Sequence, residues 1–179
     1  MPANESDRTI ATVALSAFAL SLVIHIITFF ADVSRGIPIT SIAFATGLVC
    51  WGALILTVDR QARERGQQRP KVADLVAPLP KWARLLCDLA LYYSIVNFVL
   101  FMRVADGGTL EQQPDGRYNL SDHGHLVRTL NESGARAYRT REVRLISGHS
   151  LPVLLLPGFF FLFVSLRPER GDEVIVPAP

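Results

Sequence analysis

Apolar residues are concentrated in four runs, and the polar residues fall almost entirely between them. Residues 9–30 hold one ionisable group, His25, and residues 38–58 none but Cys50. Residues 82–102 carry Arg84, Cys87 and Asp88 near their start, and residues 149–166 contain Pro152 and Pro157. At ~1.5 Å of rise per residue, about 20 residues cross the ~30 Å hydrocarbon layer of a bilayer. The pattern therefore predicts an all-α integral membrane protein with four transmembrane helices, forming one membrane domain over residues 1–179. The last run is short and reaches membrane length only if it begins inside the preceding loop, near Ile146. The first run is too long for a signal-peptide core and no small-residue cleavage site follows, so it reads as a retained helix.

Polar residues inside the runs fall on helical faces. Ser21, His25, Thr28 and Asp32 are spaced 4, 3 and 4, one stripe of a 3.6-period helix. Polar groups facing lipid are costly, so this stripe should turn into the bundle. Thr40, Ala43, Gly47 and Cys50 form a small-residue stripe suited to close helix packing. In the third run Arg84 and Asp88, four apart, are placed to pair along the helix, with Tyr92 on the same face. Tyr93 and Asn97 share a roughly opposite face, so this helix is either central in the bundle or in contact with another subunit.

Residues 59–81 hold Arg60, Arg63, Arg65, Arg69, Lys71 and Lys81, against a single Arg35 in the connection before the second run. The positive-inside rule then places residues 59–81 and both termini in the cytoplasm, and residues 103–148 outside. The prolines at 70, 78 and 80 with intervening Val and Leu suggest a segment lying on the membrane surface, and residues 167–179 a short disordered tail.

The external loop should form a cap made of a hairpin and an interfacial helix. Residues 117–120 and 125–130 read as strands about Ser121-Asp122-His123-Gly124. Asn131 is a candidate N-cap with Glu132 in the first helical turn. Arg136, Arg139, Arg141 and Arg144 then cover a short amphipathic helix, expected to break near Ser147-Gly148. Pro152 would fall in the first turn of the fourth helix, and Pro157 should kink it.

This loop resembles that of small, uncharacterised four-helix bacterial inner-membrane proteins. The matching residues are Gly116, Tyr118, Leu120, His123, Gly124, Arg128, Leu130 and Tyr138, then Glu142-Val143-Arg144 and Ser147-Gly148-His149. The likeness covers about 35 residues plus the helix layout, and it departs at Ser150, where the pattern has an aromatic residue. It implies the bacterial inner membrane as location and no particular activity or cofactor.

Composition adds little. The formal net charge is +2, with no long basic block or nucleic-acid motif, so nucleic acid is not an expected partner. Neither cysteine suggests a disulfide framework. There is no catalytic nucleophile elbow, H-E-x-x-H or phosphate-cradling glycine loop, so we expect a non-enzymatic protein. The leading expectation is a structural or accessory membrane protein whose external loop, through Tyr118, Arg128, Glu142 and Arg144, docks a lipid headgroup or membrane-protein partner. A protein interface there should expose Tyr118, Leu120 and Leu126. The alternative is a metal or haem site drawn from His25, His123, His125 and His149, which the proposed topology gathers on one side of the membrane.

Overall fold

The computed structural model describes residues 5–64, 66, 68, 71–104 and 108–165. Its helices are α1 (Glu5–Ile27), α2 (Ile37–Glu64), α3 (Val72–Val76), α4 (Lys81–Val104) and α5 (Glu132–Phe160); α5 continues as a π-helical turn over Phe161–Ser165. Four of them, α1, α2, α4 and α5, are long and apolar enough to cross a membrane, as in a multi-pass membrane protein. Between α4 and α5 lies a small antiparallel sheet of β1 (Thr109–Gln112), β2 (Tyr118–Asp122) and β3 (His125–Leu130), in that order. The tail, Arg65, Arg69, Pro70 and residues 105–107 lie outside the described residues.

The bundle is built around α5. It packs against α1, α2 and α4, and α1 also touches α2, whereas α4 packs mainly on α5. Of its most apolar window, 67% is buried, against 11% for α4. This central helix corrects the expected division of the loop. The interfacial helix and the fourth transmembrane helix are one rod of 29 residues, about 43 Å at ~1.5 Å per residue, longer than the ~30 Å bilayer core. No break occurs at Ser147-Gly148, and Pro152 sits mid-helix rather than in a first turn.

Side chains around that point explain the continuity. The Ser147 and Ser150 hydroxyls donate to the carbonyls of Arg144 (3.1 Å) and Ile146 (2.9 Å). His149 Nδ1 donates to the Leu145 carbonyl at 2.9 Å. Proline lacks an N–H, so Pro152 and Pro157 deprive Gly148 and Val153 of their helical donors, a loss tolerable where neighbouring groups support the backbone.

The stripes pack as their spacing predicts except at Asp32, which lies past the end of α1 and is exposed. Ser21 and His25 on α1, and Thr28 in the turn that follows it, are buried. On α2, Thr40, Ala43, Gly47 and Cys50 face α5 closely enough that a methyl group on Gly47 would lie 2.7 Å from Val153 Cγ1. At the end of the bundle away from the sheet, Leu79, Ala83 and Cys87 pack on Leu155, Leu156 and Phe159, and Trp82 meets Phe159 edge-on at 5.3 Å.

The hairpin forms where expected. His123 and Gly124 both have positive φ (49° and 83°), as a two-residue turn matching the twist of its strands requires. The cap carries a third strand, β1, beyond the expected hairpin; Leu110 faces Leu120 in the β1–β2 register. Leu120 and Tyr138 form a buried contact between sheet and α5, with Phe101, Leu110 and Leu130 around it. The Tyr138 hydroxyl donates to the Gly108 carbonyl at 2.8 Å. Gly108 has φ 118°, and a Cβ there would lie 2.6 Å from the Ser121 carbonyl oxygen, so glycine is required.

Candidate functional site at the sheet end of the bundle

The polar stripe of α1 meets α5 at Ser147 and α4 at Tyr93. His25 Nδ1 lies 2.9 Å from Ser147 Oγ, and His25 Nε2 lies 2.5 Å from the Tyr93 hydroxyl. Because the Ser147 hydroxyl donates to the Arg144 carbonyl, Nδ1 carries the proton and donates to Ser147. Tyr93 then donates to Nε2. Asn97, one turn further along α4, donates to the carbonyls of Arg144 and Leu145 at 3.3 and 3.4 Å. The three helices converge on Gly148: a Cβ there would lie 3.1 Å from both Asn97 Cγ and His25 Cε1, and would collide with Asn97 Nδ2.

Above this cluster, Arg144 holds the end of α1. Its Nε donates to Thr28 Oγ1 at 3.0 Å and its Nη2 to the Thr28 carbonyl, while Thr28 Oγ1 donates to the His25 carbonyl at 2.6 Å. The guanidinium also lies over the Phe29 ring, 4.1 Å from its centre. A cation at a helix C-terminus meets the negative end of the helix dipole, and the ring face adds a cation–π contact. Among the described residues Arg144 forms no ion pair with a carboxylate.

Asp32 clamps the α1–α2 connection to α5. Its Oδ1 accepts from the Ser34 N–H (2.9 Å) and the Thr140 hydroxyl (3.2 Å), and Arg136 lies 3.8 Å from Oδ2. The Ser34 hydrogen bonds, first that from its backbone N–H, hold the Asp32 carboxyl below the usual range, with smaller help from Thr140 and Arg136.

Two cavities flank Arg144. One, about 500 Å³, is lined by Asp32, Ser133, Arg136, Ala137, Thr140, Arg141 and Arg144. The other, about 350 Å³, descends between α1 and α4 along Phe29, Tyr93, Asn97, Leu100 and Phe101, and shares Arg141 and Arg144 with the first. A polar chamber thus adjoins an apolar one across two arginines.

The structure does not gather the histidines. His25 is buried with both ring nitrogens engaged. His149 lines a hollow with Phe44 of α2 and Phe98 of α4, and meets the Phe98 ring at 5.8 Å. His123 is in the hairpin turn beside Asp122 (2.8 Å), and His125 is exposed at the start of β3. Among the described residues, no three His, Cys, Asp or Glu side chains come together to hold a metal ion. Nor do Arg84 and Asp88 form the expected ion pair, although both line a cavity of about 780 Å³ between α2 and α4. Arg84 Nε is buried without a hydrogen-bond partner, while Asp88 and Tyr92 are exposed.

The proposed loop interface also changes character. Tyr118 is buried, with Arg139 over its ring at 5.3 Å, and Leu120 is fully buried; of the three apolar anchors only Leu126 is exposed. Arg128 lies exposed on β3 and Glu142 is half-buried on α5.

Thr140 was missed by reading the sequence, and Ser147 and Gly148 were read as part of the loop motif and as a helix break, not as contacts of His25 and Asn97. Arg136, Thr140, Arg144 and Ser147, spaced 4, 4 and 3, form one helical stripe that only a continuous α5 reveals. No known protein family, curated protein or solved structure matches this chain.

Proposed function

We propose that this is a structural or accessory protein of the bacterial inner membrane that docks an anionic lipid headgroup at the sheet end of its bundle. The carrying observation is that Arg141 and Arg144 line both a polar chamber and an apolar one. A headgroup phosphate suits the polar chamber, where Arg136 adds a third cation, and an acyl chain suits the gap between α1 and α4. The burial of Tyr118 and Leu120 favours lipid over a protein docked on the loop. The loop resemblance supports the bacterial inner membrane, and the arginines of residues 59–81 support cytoplasmic termini, which puts this site at the outer leaflet.

Native mass spectrometry of detergent-purified protein tests this reading. Phosphatidylglycerol should be retained in preference to phosphatidylcholine, and Arg136→Gln with Arg141→Gln should abolish the preference. Inorganic phosphate should not displace the lipid, because it lacks the chain. Equal retention of both lipids, or retention indifferent to the double substitution, would overturn it.

A further inference from the structure

The hollow of about 780 Å³ between α2 and α4 has Pro152, Val153 and Leu156 of α5 in its wall. Its volume falls within the roughly 300–1,000 Å³ of small-molecule sites. Along α4 the wall extends from Arg84 to Ser94, about 15 Å at ~1.5 Å of rise per residue. Phe44, Trp51, Leu91, Val153 and Leu156 make it largely apolar, and a hollow so lined is a poor place for water. Its polar groups stand toward the ends, Arg84 and Asp88 at one, Ser94 and His149 at the other.

Arg84 decides the chemistry of an occupant. Among the described residues no hydrogen bond or ion pair engages it, although Asp88 is one turn along the helix. Its Nε is covered by the chain itself, so a ligand meets the two terminal nitrogens. A cation beside hydrocarbon is costly unless an anion or water meets it, and the apolar wall disfavours water. The terminal nitrogens form a fork that fits one carboxylate. Ala73, Val76 and Ala77 line the hollow too, and Val76 packs against the cluster of Leu79, Ala83 and Cys87. The anionic head thus lies next to α3, which suits a small carboxylate more than a phosphodiester bearing a second group. Asp88, exposed at the rim, repels such a head, so the head stays at Arg84 and only an apolar chain passes Asp88.

We propose that this hollow binds a long-chain carboxylate, a free fatty acid, with its head on Arg84 and its chain running along Leu91 and Val153 toward Ser94. None of these residues lines the sheet-end cavities, so the site stands whether or not those cavities take a lipid.

Titration of the delipidated full-length protein with palmitate, and with hexadecanol as the same chain without the charge, tests the site by native mass spectrometry. Palmitate should bind at least about tenfold more tightly than hexadecanol, as one charged hydrogen-bonded pair implies. Arg84→Gln should cancel that difference, and Arg84→Lys, which keeps the charge, should retain part of it. Asp88→Asn should leave palmitate binding unchanged or tighter. Arg136→Gln with Arg141→Gln, at the sheet end, should leave it unchanged. Equal binding of the two probes, a preference indifferent to Arg84→Gln or lost equally in Arg84→Lys, or a preference lost in the sheet-end double variant would each overturn the proposal. So would weaker binding in Asp88→Asn, which marks a cationic ligand, or displacement of palmitate by equimolar phosphatidylglycerol, which marks an ordinary phospholipid.

Discussion

The side-chain amide of Asn97 rests against the bare Cα of Gly148, where side chains of α1 and α4 both crowd α5. A methyl group at that point has no free space, since it would lie 3.1 Å from both Asn97 Cγ and His25 Cε1. Gly148→Ala should therefore cost about 1–3 kcal/mol through overpacking, against the gain of up to ~1 kcal/mol that alanine brings to a helix. Gly52→Ala, on α2 with nothing within 4 Å, isolates the helix-propensity gain and should be neutral or stabilising. Unfolding curves in mild detergent compare the two, and a Gly148→Ala protein as stable as the wild type would show that the helices are not in contact there.

The tautomer of His25 is fixed by its neighbours. Ser147 spends its proton on the Arg144 carbonyl, so the imidazole should carry its proton on Nδ1 and accept from Tyr93 at Nε2. Nitrogen-15 NMR of labelled histidine reads this directly. Tyr93→Phe should shift the Nε2 resonance and leave the Nδ1 resonance nearly unchanged, whereas a proton found on Nε2 would reverse the assigned chain of hydrogen bonds.

Arg144 should resist its nearest replacement. Lysine keeps the charge but cannot donate to both the Thr28 hydroxyl and carbonyl from a planar group stacked on Phe29. Arg144→Lys is expected to lose about 1–3 kcal/mol, in line with a charged hydrogen-bond network, and to raise hydrogen exchange at residues 28–31. Unchanged exchange there would remove Arg144 from its clamping role.

Asp32 gives a pH signature outside the membrane spans. Its folded pKa lies below the unfolded value of about 3.9, so its contribution is fully present above that value and is lost as pH falls through the folded pKa. Protection of the Ser34 amide should hold from neutral pH down to about 5 and decline well below 4. In Asp32→Asn that low-pH decline should be absent. Loss of protection above pH 5 in the wild type would contradict the assigned clamp.

Much of this architecture was legible in the chain. The stripe of Ser21, His25 and Thr28, the small face around Gly47 and the Asn131 cap, whose side chain accepts from the Gly134 N–H at 2.9 Å, follow from local spacing and chemistry. The centre of the bundle did not, although a signal existed. The apolar window of α5 has a mean hydropathy of 1.7 against 2.3 for α1, yet it is the most buried. In a bilayer, lipid demands apolar surface while the interior can satisfy polar groups, so the less apolar helix can be the inner one. The continuity of α5 was hidden because Gly148, Pro152 and Pro157 ordinarily interrupt a helix. The support of its carbonyls by Asn97 and His149 is tertiary or rotameric and leaves no periodic mark. β1 escaped notice because Thr-Leu-Glu-Gln is largely exposed and becomes a strand only by pairing with β2. The convergence of His25, Tyr93 and Ser147 joins residues up to 122 positions apart, beyond the reach of spacing arguments.

The two prolines of α5 also grade its mechanical properties. Its first half, from Glu132 through Ser150, is proline-free and carries the sheet against Tyr138; the stretch beyond lacks the axial hydrogen bonds that Pro152 and Pro157 cannot donate and ends in a widened π turn. The rod is therefore stiff where it bears the cap and compliant at the opposite end. A load on the sheet would therefore pass through the contact of Leu120 with Tyr138 into the proline-free half of α5.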